Sequence, residues 1–196
     1  MTRGVEHPDR RAFLAVAGAG LAATAAAWPV QAGARVQDRS AGEFAAARRS
    51  DPRLVAFENG HETDLARLRI EGTMPAELSG LFHRNGPAVF ERAGIRYRHW
   101  FDGDGFVQRW RIENGNVRYR SRFIQTSKFK LEEPAGAFLL PAGGGGIPPV
   151  APFSGSNSAN PSNTSIIAMG AESWALWEGG SAMRIDPETL DTLGLV

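Results

Sequence analysis

From Leu68 onward the large apolar residues come in runs of four to eight, each cut off by Gly, Pro, Asn or Asp. Runs this short cannot carry the i, i+3, i+4, i+7 stripe of a packed helix, but each is the right length for one strand of a sheet. Phe106, Trp110 and Ile112 alternate with Val107, Arg109 and Arg111. Glu113-Asn114-Gly115-Asn116 then turns the chain, and Val117, Tyr119, Ser121 and Phe123 alternate again. Asn-Gly supplies the positive φ angles that a tight hairpin needs. A second hairpin is expected from Ile166–Met169 through Gly170–Ser173 into Trp174–Trp177, and a third strand over Ala182–Ile185 that ends at the turn Asp186-Pro187-Glu188-Thr189. Pro134–Asn163, which includes four consecutive glycines at 143–146, reads as a long crossing loop. With 23 Gly and 12 Pro in 196 residues, and no helical period longer than a couple of turns in this region, the class is all-β, either a propeller or a sandwich.

The charge balance removes one class of partner. Twenty-two Lys+Arg face 21 Asp+Glu, so the electrostatic footprint of a nucleic-acid binder is missing. Cys is absent, which excludes both a disulfide framework and a thiol nucleophile. Only Lys128 and Lys130 among the basic residues are lysines.

Residues 1–34 read as an export signal. Arg10-Arg11 precedes Ala12-Phe13-Leu14 and an uncharged Ala/Gly-rich run to Ala34, the order of a bacterial twin-arginine signal, with small residues for cleavage near Ala32 or Ala34. A membrane anchor is the alternative, since residues 12–34 are uncharged and long enough to span, but Ala and Gly supply little insertion energy. Residues 35–64 follow as a linker or N-terminal arm, in which a short helix over Gly42–Arg49 would carry only Phe44 as a large apolar residue. Residues 65–196 form the folded part. A four-stranded propeller blade takes roughly 40–50 residues, so the length after Asp64 suits about three blades, whereas closure needs at least four. The run Thr192–Val196 begins a new apolar stretch without finishing it. The expectation is therefore the front part of a larger protein.

The densest polar motif is His99-Trp100-Phe101-Asp102-Gly103-Asp104-Gly105. Asp102 and Asp104 are spaced like the first ligands of a calcium loop, but the glycine required at position 6 is Val107, so that reading fails. His83, His99 and Asp102 are conceivable as a two-histidine, one-carboxylate metal site. The simpler reading is a tight turn in which the Asp side chains cap backbone amides and the glycines take φ values closed to other residues. Neither Gly103-Asp104-Gly105 nor residues 143–146 precede a helix with Lys-Ser/Thr, so no phosphate cradle is expected, and no Gly-x-Ser-x-Gly elbow exists. Asn163-Thr164-Ser165 matches a glycosylation acceptor, which a bacterial export signal makes irrelevant.

Several strings fall in a recognisable order: Gly72-Thr73-Met74-Pro75-Ala76-Glu77-Leu78-Ser79-Gly80, Arg84-Asn85-Gly86-Pro87, the segment 99–105, and Tyr119 with Arg122-Phe123 and Thr126. Asn163-Thr164, Leu176-Trp177-Glu178-Gly179-Gly180 and Asp186-Pro187-Glu188-Thr189-Leu190-Asp191-Thr192-Leu193-Gly194 follow. Together they resemble the N-terminal portion of the carotenoid cleavage oxygenase family, over residues 68–196. The resemblance implies a seven-bladed β-propeller with a non-haem Fe(II) on its axis, held by four histidines, which activates O2 to split a carbon–carbon double bond of a carotenoid, apocarotenoid or stilbene. It also implies a hydrophobic conjugated substrate, O2 as co-substrate and room for peripheral membrane contact.

In the family the iron histidines come later in the chain. His7, His61, His83 and His99 do not match them, so no catalytic or metal-binding residue is assigned within this sequence, and the isolated piece is expected to be inactive. Glu178 stands where the family has a glutamate that accepts a hydrogen bond from an iron-binding histidine, with a solvated strand-end glutamate as the alternative. Trp110 is a candidate for lining the substrate tunnel, and plain packing is equally open. The competing function is an exported non-catalytic β-sheet binding module or an inactive truncated product.

Overall fold

Two four-stranded antiparallel sheets form the framework of the described residues. The structure, a computed structural model, describes residues 39–140, 147 and 149–196. The signal read over residues 1–34 and the glycines 143–146 lie outside the described residues. Strands β1 (Thr63–Leu65), β2 (Gly80–Pro87), β3 (Glu91–Arg92), β4 (Ile95–Arg96), β5 (Gly105–Glu113), β6 (Asn116–Phe123), β7 (Ser165–Met169), β8 (Glu172–Leu176), β9 (Met183–Ile185) and β10 (Thr192–Leu195) are joined by helices α1 (Arg39–Ser50) and α2 (Ser127–Ala135). The first sheet runs β1-β6-β5-β2, the second β10-β9-β8-β7, and β3-β4 form a two-stranded ribbon.

The predicted hairpins are present. Asn114 and Gly115 take φ of 50° and 69°, the pair of positive angles expected of an Asn-Gly hairpin turn, and register Glu113 opposite Asn116. Within the run Thr192–Val196, residues Thr192–Leu195 form the fourth strand of the second sheet. Thr192 pairs with Ile185 and Leu195 with Met183, and the register shift between them falls beside Gly194, whose φ is 125°. The chain is mostly β rather than strictly all-β.

Helix α2 was not expected. Thr126 caps its first turn by accepting a hydrogen bond from the Phe129 amide at 3.1 Å, and Gly136 ends it with φ of 60°. The stretch 35–64, read as a linker or arm, contributes α1, a 3-10 turn over Pro52–Phe57 started by Asp51, and the edge strand β1. Asn59 ties this stretch to the ribbon. Its Oδ1 accepts from the amides of Phe90 (2.8 Å) and Glu91 (3.1 Å), and its Nδ2 donates to the Glu91 carbonyl at 2.8 Å.

Two separate apolar cores result. Val107, Ile124, Ala175, Met183, Ile185 and Leu190 fill the space between the sheets, with Ile166 against them. Val89, Tyr97, Phe129 and Phe138 form the second core, with Phe123 and Ile147 against it. Fully burying the larger of these side chains is worth roughly 1.5–3 kcal/mol each. On the other face of the first sheet, Leu65, Tyr119, Trp110 and Phe82 stand in one cross-strand row, with ring centres 5.1 Å apart for Trp110–Tyr119 and 5.4 Å for Phe82–Trp110.

Candidate functional site

The segment His99–Gly105 sits where both sheets and α2 meet, and its backbone explains why. Pro87 and Ala88, at the end of β2, run beside it, and the Ala88 amide donates to the Asp104 carbonyl at 2.9 Å. Gly105 opens β5, donates its amide to the Pro161 carbonyl at 2.8 Å and accepts from the Ile124 amide at 2.9 Å. Asn163, buried just before β7, donates through Nδ2 to the carbonyls of Phe101 (2.8 Å) and Gly103 (2.6 Å). Asn85 on β2 donates to the carbonyls of Ser162 (2.8 Å) and Ser165 (3.0 Å). Asparagine suits these posts because one short side-chain amide can bridge two nearby backbone carbonyls.

The expected turn is thus corrected in its physics. Gly103 has an ordinary φ of −67°, and Gly105 is not among the positive-φ glycines. What the glycines provide is room. A Cβ on Gly105 would fall 2.4 Å from the Ser162 carbonyl oxygen and 2.6 Å from that of Pro161, and one on Gly103 would sit 3.0 Å from both Pro87 Cβ and the Val89 carbonyl. His99 caps the turn, its Nδ1 accepting from the Phe101 amide, while the Asp104 carboxylate is taken up by cations.

Asp104 has a different task. It is fully buried and takes two cations, Lys128 Nζ on Oδ1 at 2.7 Å and Arg92 on Oδ2 at 3.1 Å. Lys128 Nζ also donates to Glu132 Oε2 at 2.8 Å, one turn along α2. Arg92 reaches Glu133 as well. Burial alone would push the Lys128 pKa down, but the field of Asp104, with Tyr97 and Glu132 behind it, outweighs desolvation, and the net shift is upward. Burial likewise pushes the Tyr97 phenol up, against the partial opposition of Lys128. This cluster was missed in the sequence. Its one signal was a Lys four residues before a Glu, in a chain whose other basic residues are nearly all arginine.

The residues singled out from the sequence are not brought together. His83 Nε2 lies 2.8 Å from the Pro187 carbonyl across the sheet interface, while His99 caps its own turn. Among the described residues no three His, Cys, Asp or Glu side chains gather in a metal-holding group. Glu178 is exposed in the turn after β8. Trp110 is half-buried in the aromatic row of the first sheet. An apolar cleft of about 320 Å³ lies elsewhere, lined by Phe44, Leu54, Phe57, Phe90, Trp100 and the buried Arg96, and Trp110 is not part of its lining. No described helix is long and apolar enough to cross a membrane.

Over residues 56–196 the sequence matches the family described as RPE65, retinal pigment epithelial membrane protein. The chain belongs to this family. Within the RPE65 family it is 34% identical over 134 residues to the apocarotenoid-15,15'-oxygenase of Synechocystis, covering 64% of this chain and 26% of that protein. It is 32% identical over 133 residues to the lignostilbene-alpha,beta-dioxygenase isozyme III of Sphingomonas paucimobilis, covering 68% and 27%. The cobalt-substituted Synechocystis apocarotenoid oxygenase superposes with a TM-score of 0.63 at 32% identity, covering 74% of this chain and 32% of that one. The chain therefore spans about a quarter of the length of the curated relatives it matches. The resemblance to the carotenoid cleavage oxygenases drawn from the motif order is shown over this portion.

Proposed function

We propose that this chain is the leading part of an exported, non-haem Fe(II)-dependent dioxygenase that splits a carbon–carbon double bond of a carotenoid, apocarotenoid or stilbene. The double bond is cleaved with O2, and two carbonyl products leave. The observation that carries this reading is that a single stretch of the chain is similar both to an apocarotenoid oxygenase and to a lignostilbene dioxygenase. Their shared chemistry is oxidative cleavage of a conjugated double bond. In the same reading the two four-stranded sheets are neighbouring blades of a seven-bladed propeller, and residues 65–196 are its first portion.

The described residues do not fit an iron cradle. His83 is held by the Pro187 carbonyl, His99 by its own turn, and no third ligand stands beside either. The reading therefore assigns the iron ligands to chain outside these 196 residues, and the present residues serve as scaffold. Glu178, exposed here, is assigned the role of fixing an iron-binding histidine supplied by such chain.

The test is expression of the whole open reading frame, metal analysis, and aerobic incubation with polyenes and stilbenes. About one iron per chain and release of paired aldehydes are expected, while residues 1–196 alone are expected to hold negligible iron. An iron-loaded full-length protein that yields no carbonyl product from any member of the panel would sink the proposal. Export is checked separately. Replacing Arg10 and Arg11 by Lys should leave the precursor in the cytoplasm, and undiminished export of that variant would remove the twin-arginine assignment.

A further inference from the structure

Lys128 is a costly residue for its position. Its side chain is 1% exposed, and it lies against the rings of Tyr97 and Phe138, with Nζ 5.5 and 5.9 Å from their centres. A methionine there would suit those rings without any counter-charge, and buried ion pairs are often no more stabilising than apolar residues of the same volume. What an apolar residue could not do is join separate pieces of chain directionally.

The bonds through Lys128 form a continuous line. Arg92, in the ribbon, holds Asp104 at 3.1 Å; Asp104, just before β5, holds Lys128 at 2.7 Å; and Lys128 holds Glu132 at 2.8 Å. The second oxygen of Glu132 accepts from the amides of Leu139 and Leu140, both at 2.9 Å. The Leu139 carbonyl then accepts from the amides of Val150 and Ala151, also at 2.9 Å. Arg92 and Lys128 lie over rings of the second core, Phe129, Phe138 and Tyr97, and none of these partners is a member of the core between the sheets. Opening α2 therefore exposes Val89, Tyr97, Phe129 and Phe138 while leaving Val107, Ala175 and Ile185 buried.

We propose that Lys128 is an ionic latch, and that α2 with the turn after it opens and closes as one unit against the rest of the fold. The latch joins this unit to Asp104, so its release also loosens the segment that ties the two sheets together. Arg92 Nε and the Tyr97 hydroxyl have no hydrogen-bond partner among the described residues, but the carboxylates of Asp104 and Glu132 and the Lys128 ammonium are bonded to one another, so withdrawing one member of this buried network removes several bonds together. Cooperative sub-global opening is the expected behaviour of such a unit.

The test is native-state amide hydrogen exchange on the intact chain. In the unmodified protein the amides of Phe129, Lys130, Leu139 and Leu140 should exchange as a group, faster than those of Gln108, Trp110, Ala175 and Ile185. Lys128→Met should accelerate the first group roughly hundredfold, and the second by less than roughly tenfold. Glu132→Gln, which keeps the shape and one acceptor oxygen, should produce the same pattern at roughly tenfold, and it decides the matter if Lys128→Met does not fold. Equal acceleration of both groups by whichever variant folds would mean that the cluster only adds to global stability, and no acceleration of the first group would mean that it holds nothing shut. Either result overturns the proposal.

Discussion

Gly105→Ala is expected to destabilise the chain by at least about 3 kcal/mol, beyond the usual cost of one added methyl in a core. The reason is what the methyl would meet. Its nearest neighbours are two backbone carbonyl oxygens, at 2.4 and 2.6 Å, on the segment that leads into the second sheet. A side chain can rotate away from such a clash, but Pro161 and Ser162 cannot. Ser162 already holds φ of 50°, its amide donates to Asn160 at 2.8 Å, and its hydroxyl donates to the Ala175 carbonyl at 3.1 Å. Relief therefore requires the sheets to part, with loss of the 2.8 Å bond from the Gly105 amide to Pro161. Urea denaturation of the two proteins gives the difference directly. Gly86→Ala, in β2 at a glycine without positive φ, is the control that adds the same methyl with nothing within 4 Å. A Gly105 variant no less stable than that control would show that the close approach does not matter.

Asp104→Ala is the second large effect. It takes the shared counter-ion from Lys128 and Arg92 at once, and removing one partner of a buried pair typically costs 3–5 kcal/mol. The lower end, about 3 kcal/mol, is expected because Glu132 and Glu133 still face the two cations. The pH dependence has a definite sign. The Lys128 pKa is raised on folding, so its contribution is fully present below the ordinary lysine value of about 10.4 and declines as pH climbs from there towards the folded value. Tyr97 acts in the same direction, since its folded pKa is also raised and the phenol must stay neutral where it is buried. Stability measured by urea titration should therefore fall above about pH 10, and the fall should be shallower in Asp104→Ala, in which the field that raises the Lys128 pKa has been weakened. A parent protein whose stability is flat to pH 12 would contradict this account of the cluster.

The strands were legible because a hairpin is a local object. Asn114-Gly115 fixes its own turn, the alternation of Phe106 to Ile112 fixes a face, and both survive in the structure. Helix α2 was missed although its signals were present, with Thr126 as a cap, Gly136 as a stop and Lys-Phe-Lys-Leu-Glu-Glu between them. Nine residues containing Pro134 fall below the length at which periodicity is persuasive, so tertiary packing on Phe123 and Tyr97 decides the matter. The burial of Lys128 was illegible for a further reason. Locally only the Glu four residues on distinguishes it from Lys130, which is exposed, and its partner Asp104 lies 24 residues away. The same distance hid the role of the Asp-Gly motif. Read locally it was a turn, whereas its glycines answer to Pro161, Ser162 and Pro87 in other parts of the chain. Trp110 was placed on a strand correctly, but the row it joins is set by pairing with Phe82 and Tyr119.

The two sheets differ in when a ribosome could let them form. In the second, neighbours follow one another along the chain from β7 to β10, so each strand can zip onto the last as it emerges. The first is bracketed by its own history, because β1 is made before every other strand of the sheet yet, among the described residues, pairs only with β6, with Thr63 facing Ser121. Until that late segment is released the earliest one has nothing to grip, and the loop to be closed is long, which slows the step. Vectorial synthesis therefore leaves the outer margin of the first sheet as a seam to be sewn last.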